Sequence, residues 1–165
     1  MNISFRLNGQ TAQTAADPQT SLLFALIQDG GVNGVKFGCG RAQCGSCTVI
    51  IDGEPVRSCV TPVASAAGRS VTTLEGLAQN GKPNRLQQAF IDEQACQCGY
   101  CGSGMVITAK ALLDRNPSPT TAEVREALNG HLCRCASHNR IVRAVQKAGK
   151  VMQAQNADAV AGVKA

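Results

Sequence analysis

Nine cysteines in a chain of 165 residues are the residues here with chemistry to explain. Cys39, Cys44 and Cys47 stand as C-x4-C-x2-C, and Cys59 follows after eleven intervening residues. That is the spacing by which plant-type ferredoxins hold a [2Fe–2S] cluster. Cys39 to Cys47 can wrap a small cluster within one loop, and Cys59 can complete four thiolates from the far strand of a hairpin. Gly38, Gly40 and Gly45 remove side chains where backbone must approach inorganic sulfide, and their N–H groups can donate to a negative core. A structural zinc site is the competing reading, but zinc modules usually offer two short Cys pairs and this loop offers one.

Further along, Cys98-Gly99-Tyr100-Cys101 and Cys133-Arg134-Cys135 make two close pairs at the ends of predicted helices. They supply four more thiolates, and unpaired backbone N–H groups at helix ends can face a cluster. Zinc competes better here, because two short pairs are its usual pattern. Neither pair is followed by His, which excludes attachment of a c-type haem. Cys96, the ninth cysteine, is either an alternative ligand or a buried bystander, and the second reading is preferred because free Cys behaves as a small hydrophobe. His131 and His138 are read as local polar residues, since eight thiolates already satisfy two clusters.

Composition bounds the chain's class. Apolar residues make up 44% and charged residues 16%, which suits one medium globular domain or two small ones. No run approaches the roughly 18 apolar residues of a membrane helix. The start, MNISFRLNGQ, lacks the charged and apolar regions of a signal peptide. A cytoplasmic location is therefore expected, with the inner membrane reached only through partners, and no direct membrane insertion. In a reducing compartment disulfides are not expected, and metal becomes the first suspect. Aromatics are 3%, with no Trp, so the stacking platform of single-strand nucleic-acid binders is missing and no nucleic acid partner is expected. Formal net charge is +5; each cluster of two ferric ions, two sulfides and four thiolates would carry about −2, leaving the holoprotein at about +1. No nucleophile–base pair, Walker loop or paired carboxylates are visible. The chain is expected to move electrons and to do no bond chemistry alone.

The elements that must position these cysteines change character along the chain. Ile3, Phe5 and Leu7 alternate as in a strand, and Asn8-Gly9 is a hairpin signal. Thr20 or Ser21 can cap a helix containing Leu22, Leu23, Leu26 and Ile27, stopped at Gly30-Gly31. Thr48 to Ile51, an Asp52-Gly53 turn, Pro55 to Cys59, and Ser70 to Thr73 complete a small mixed sheet. From about residue 80 helical spacing takes over. Asn84 caps a helix with Leu86, Ala89 and Phe90; Val106, Ile107, Leu112 and Leu113 mark a second helix ending at Asn116-Pro117. Thr120 and Glu123 form a capping box for a third, and Ile141, Val145, Ala148 and Met152 mark a fourth. The expected class is α+β, with a four-helix bundle after the sheet. The expected domains are 1–77 and 78–152, joined near Glu75 to Pro83. The Ala-rich tail, 153–165, is expected to fray.

Taken together, Lys36-Phe37-Gly38-Cys39-Gly40, Gln43-Cys44-Gly45-Ser46-Cys47-Thr48, Gln97-Cys98-Gly99-Tyr100-Cys101 with Gly104-Met105, and Leu132-Cys133-Arg134-Cys135 resemble the iron–sulfur subunit of molybdenum hydroxylases, the xanthine dehydrogenase and aldehyde oxidase family. The resemblance covers residues 1 to 152. Gln88 to Gln94 and Ala109 to Arg115 look most like bacterial nicotinate dehydrogenase small subunits, with isoquinoline oxidoreductase small subunits next.

The resemblance implies a β-grasp plant-type ferredoxin domain with one [2Fe–2S] cluster, followed by the four-helix bundle with another. It also implies docking on a large subunit that holds molybdopterin cytosine dinucleotide and hydroxylates its substrate with oxygen from water. Electrons would leave through this chain, one at a time, to FAD or to the haem of a cytochrome c-type partner. The cluster of the helical domain would lie next to the pterin, which makes Gln97 and Cys135 the residues nearest that cofactor. Two departures stand out: Ser103 where many relatives carry Pro, and Ala136-Ser137-His138 where Thr-Gly-Tyr is common. The rival readings are a free-standing two-cluster ferredoxin and a zinc-stapled interaction module.

Overall fold

In β1 (Ile3–Leu7) the alternate residues Ile3, Phe5 and Leu7 are buried, as a strand with one covered face requires. Asn8 and Gly9 both adopt positive φ, +52° and +86°, the two left-handed residues of a tight hairpin whose twist matches its strands. The chain returns antiparallel as β2 (Gln10–Thr14). This computed structural model describes residues 2–161, with side chains to residue 151.

A second hairpin repeats the device. Asp52 and Gly53, at φ +47° and +89°, join β3 (Thr48–Ile51) to β4 (Glu54–Arg57). The last strand, β5 (Ser70–Thr72), lies between β1, to which it is parallel, and β3, to which it is antiparallel. The sheet order is β2-β1-β5-β3-β4. The returning strand is shorter than expected: it ends at Arg57, because the Val60 N–H donates back to the Arg57 carbonyl at 3.2 Å and turns the chain. Cys59 therefore sits in the turn after β4.

Helix α1 (Leu22–Gln28) buries Leu22, Leu23 and Leu26 against Val49, Ile51, Val63 and Val71. Ser21 occupies its N-cap but its hydroxyl makes no capping bond; the helix entry is tied instead by Leu22 N–H to the Thr61 carbonyl, 2.7 Å. β3 is buried on both faces. Val49 and Ile51 join the α1 core, while Ile50 joins the core of the helical half, as the two-residue period of a strand dictates.

That half contains α2 (Arg85–Asp92), α3 (Gly102–Arg115), α4 (Thr121–Ala127) and α5 (His138–Ala161). Met105, Ile107, Leu113, Val124, Ile141 and Val145 are its buried centre. Two reciprocal capping boxes set helix starts, Asn84 with Gln87 and Thr120 with Glu123. Arg143–Glu93 at 3.2 Å and Lys147–Asp92 at 3.1 Å link α5 to α2; both are solvated pairs that water and salt screen, so they contribute little. The tail from Gln153, for which fraying is expected, has its side chains outside the described residues. The chain is thus α+β, with a mixed sheet leading and helices following.

Candidate metal centres

The first cysteine set lies mainly on the loop between α1 and β3. The Cys39 sulfur accepts backbone N–H groups from Arg41, Gln43 and Cys44 at 3.2–3.3 Å. The loop can curl this tightly because Gly40, Ala42 and Gly45 take left-handed φ of +65°, +60° and +78°. A Cβ at Gly38 would stand 2.5 Å from the Cys44 sulfur, so close approach there demands glycine. Donation from Arg41 and then Cys44 holds the Cys39 thiol down to about 7, the direction a thiolate ligand requires. Cys47 behaves oppositely: burial pushes its thiol up to about 11, and it faces the Cys59 thiol.

The second set is built at helix starts. Cys101 is the N-cap of α3, and Gly99 at φ +79° bends the chain back to Cys98. Cys133 and Cys135 occupy the turn between α4 and α5, where Ala136 at φ +57° redirects the chain into α5. The Cys98 and Cys135 sulfurs are 3.5 Å apart, and Cys101 faces Cys133, with burial pushing Cys101 up to about 12. The Cys98 thiol is lowered, first by the Tyr100 N–H and then by Cys135. For Cys133, burial raises the pKa, but donation led by the Ser137 N–H outweighs it and the net direction is down. Gln97 donates its amide to the Cys135 carbonyl at 3.3 Å, so those two residues do meet.

In both sets the thiols are arranged as facing pairs: Cys39 with Cys44, Cys47 with Cys59, Cys98 with Cys135, and Cys101 with Cys133. Among the described residues no three Cys, His, Asp or Glu side chains close on a single ion. Four thiols offered as two close pairs match the number of donors of a two-iron core, which takes two cysteines per iron. The residues present fit that group.

The two sets are in direct mechanical contact. Leu132 N–H donates to the Cys44 carbonyl at 3.1 Å, and Tyr100 Oη donates to the Phe37 carbonyl. A Cβ on Gly104 would fall 2.0 Å from the Gly45 oxygen. A Cβ on Gly45 would strike the His131 ring at 2.3 Å, so that position also needs glycine where the two halves meet. His131 itself corrects the expectation of a local polar residue. It is 5% exposed and wedged between the halves, with Nε2 3.0 Å from Thr108 Oγ1, 3.2 Å from Arg57 Nη1 and 3.4 Å from Thr48 Oγ1. Burial, and then the Arg57 charge, push its pKa down to about 4. His138 opens α5 and is exposed. Nothing local in the sequence marks Arg57 or His131, which lie 74 positions apart.

Cys96 also departs from expectation. The residue is exposed, because it lies in the loop that carries the chain from α2 to Cys98. Its sulfur turns inward against Gly102, whose added Cβ would lie 2.6 Å away, and burial of that thiol raises its pKa, with Cys133 and Cys98 contributing next.

A cysteine-bearing loop on a mixed sheet, packed against a second one at helix starts, defines an electron-transfer protein of the [2Fe–2S] class. Residues 5–78 match the 2Fe-2S iron-sulfur cluster binding domain, and residues 73–146 match the [2Fe-2S] binding domain. The chain is 55% identical to one subunit of the nicotinate dehydrogenase of Pseudomonas putida, covering 90% of this chain and 94% of that protein. It is 47% identical to the alpha subunit of isoquinoline 1-oxidoreductase from Brevundimonas diminuta, covering 90% and 97%. Among solved structures, quinoline 2-oxidoreductase from Pseudomonas putida 86 superposes with a TM-score of 0.89 at 41% identity, covering 93% of this chain and 96% of that one.

The chain belongs to the family of iron–sulfur subunits of molybdenum hydroxylases. It is an electron-transfer subunit carrying two [2Fe–2S] clusters, of the kind found in molybdenum-dependent dehydrogenases. Among the described residues no helix is long and apolar enough to cross a membrane.

Proposed function

We propose that Cys39, Cys44, Cys47 and Cys59 hold one cluster, that Cys98, Cys101, Cys133 and Cys135 hold the other, and that the chain serves a hydroxylase of N-heterocycles such as nicotinate. The proposed units are a β-grasp ferredoxin domain over residues 1–77 and a four-helix domain over 78–152. A large partner subunit carries molybdopterin cytosine dinucleotide, and that cofactor supplies the hydroxylation chemistry. On this side, Gln97 and Cys135 stand nearest the pterin: Gln97 is exposed, and its amide, which can both donate and accept, already reaches the Cys135 backbone. The outward electron goes to FAD or to haem on a second partner, by way of the loop holding Cys39.

The observation that carries this reading is the pairing of eight thiols into two sets joined by the Leu132–Cys44 backbone hydrogen bond. The nicotinate relative, at 55% identity over nearly its full length, supports the substrate class. The test is direct. Purified protein is expected to hold about four iron and four acid-labile sulfide per chain, as two clusters require. Cys39→Ser is expected to remove one EPR signal and leave the other. In the assembled complex, Gln97→Ala is expected to keep both signals while slowing reduction of the helical-domain cluster by nicotinate. Loss of both signals in Cys39→Ser, or an unchanged rate in Gln97→Ala, overturns the corresponding assignment.

A further inference from the structure

Where the two halves meet, Thr48, Arg57, Thr108 and His131 form one polar cluster that the relay above leaves without a role. Arg57 Nη1 donates to Thr48 Oγ1 and lies 3.2 Å from His131 Nε2, while Nη2 donates to the Gly130 carbonyl at 3.4 Å. A guanidinium has donors only, so His131 Nε2 must accept and the ring proton sits on Nδ1. Thr48 gives its own proton to the Gly45 carbonyl at 2.6 Å, and its oxygen is left to accept from Arg57. The imidazole and the hydroxyl are therefore neutral acceptors, and the positive charge of this cluster is that of Arg57.

Each segment around that charge runs directly into a candidate ligand. Thr48 follows Cys47, Arg57 precedes Cys59 by two residues, Gly130 and His131 lead to Cys133, and Thr108 lies two turns into the helix that Cys101 begins. Arg41 and Arg134 are also beside candidate ligands, but both are exposed, where water and salt screen them. Arg57 is half-buried, and a charge in that setting acts more strongly on its surroundings.

We propose that Arg57 is the interdomain cation that allows both clusters to be reduced at the same time. The proposal rests on the two four-thiolate sets assigned above. A two-electron oxidation at a partner delivers a pair of electrons, one for each cluster, and no bond in this chain forms or breaks. Each reduction takes a four-thiolate cluster from about −2 to about −3, so the second electron meets the repulsion of the first. A fixed cation where the two halves meet offsets that repulsion.

The experiment is an EPR-monitored redox titration of the holoprotein with dithionite as electron donor. Arg57→Gln removes the charge and keeps an amide donor, and Arg57→Met removes both; Arg57→Lys keeps the charge but loses the fork. Both midpoint potentials are expected to shift to more negative values in the Gln and Met variants, and the doubly reduced fraction at a fixed potential to fall. The Lys variant is expected to stay close to the parent. Unchanged potentials in a neutral variant that retains its iron overturn the proposal, as does a Lys variant shifted as far as Gln. If both neutral variants lose iron while Lys keeps it with parental potentials, Arg57 is a folding residue and the redox role is wrong. Iron and sulfide content of the parent tests the ligand sets separately.

Discussion

The backbone N–H of Leu132 donates to the carbonyl of Cys44 at 3.1 Å, so the residue before one candidate ligand, Cys133, is bonded to another candidate ligand from the other half of the chain. The contact is short enough to leave no room for side chains nearby. Gly45 and Gly104, one on each side, are held by sterics rather than by a turn alone.

That packing makes Gly104→Ala a sharp test. The added methyl would fall 2.0 Å from the Gly45 carbonyl oxygen, and backbone cannot swing aside as a side chain can. Overpacking of this kind costs roughly 1–3 kcal/mol. Thermal denaturation of the holoprotein is expected to show a lower Tm; a parental Tm would mean that the two loops are not packed as described.

The helix caps offer a test away from the metal. Asn84→Ala and Thr120→Ala each remove a side-chain acceptor for an N3 amide and are each expected to cost about 1 kcal/mol. The two boxes share no partner, so the double variant is expected to lose close to the combined amount. Urea melts give the energies, and EPR spectra are expected to stay parental.

Glu75 predicts a pH dependence. Partial burial raises its pKa, but donation from Thr73 and from the N–H groups of Gly34 and Asn33 outweighs it, and the carboxyl titrates below its ordinary range. A depressed folded pKa means stability that is complete above the unfolded value and is lost as pH falls through the folded one. The advantage of the parent over Glu75→Gln is therefore expected to be full at pH 7 and to shrink as pH falls below about 5. Paired urea melts at stepped pH, within the range where visible absorbance shows the clusters intact, check the sign.

Cys96 is the cysteine left over from four pairs. Cys96→Ser is expected to retain about four iron per chain and both EPR signals, whereas Cys98→Ser is expected to lose the signal of the helical half. Loss of a signal in Cys96→Ser would place that sulfur on a cluster.

What the sequence alone determined was whatever depends on residues a few positions apart. Asn8-Gly9 and Asp52-Gly53 make their hairpins through two consecutive positive φ angles. Asn84 and Thr120 cap their helices through a partner three residues on. Cys39, Cys44 and Cys47 curl within one loop for the same local reason. Tertiary structure alone decided that Ile50 turns to the helices while Val49 and Ile51 face α1, that Cys98 meets Cys135, and that Cys96 is exposed. It also decided that His131 meets Arg57, 74 positions away. A hydrogen bond of that span exists only once the two halves are packed against each other. Its energy depends on burial and on the partner's orientation, and neither is encoded in the spacing of residues along the chain.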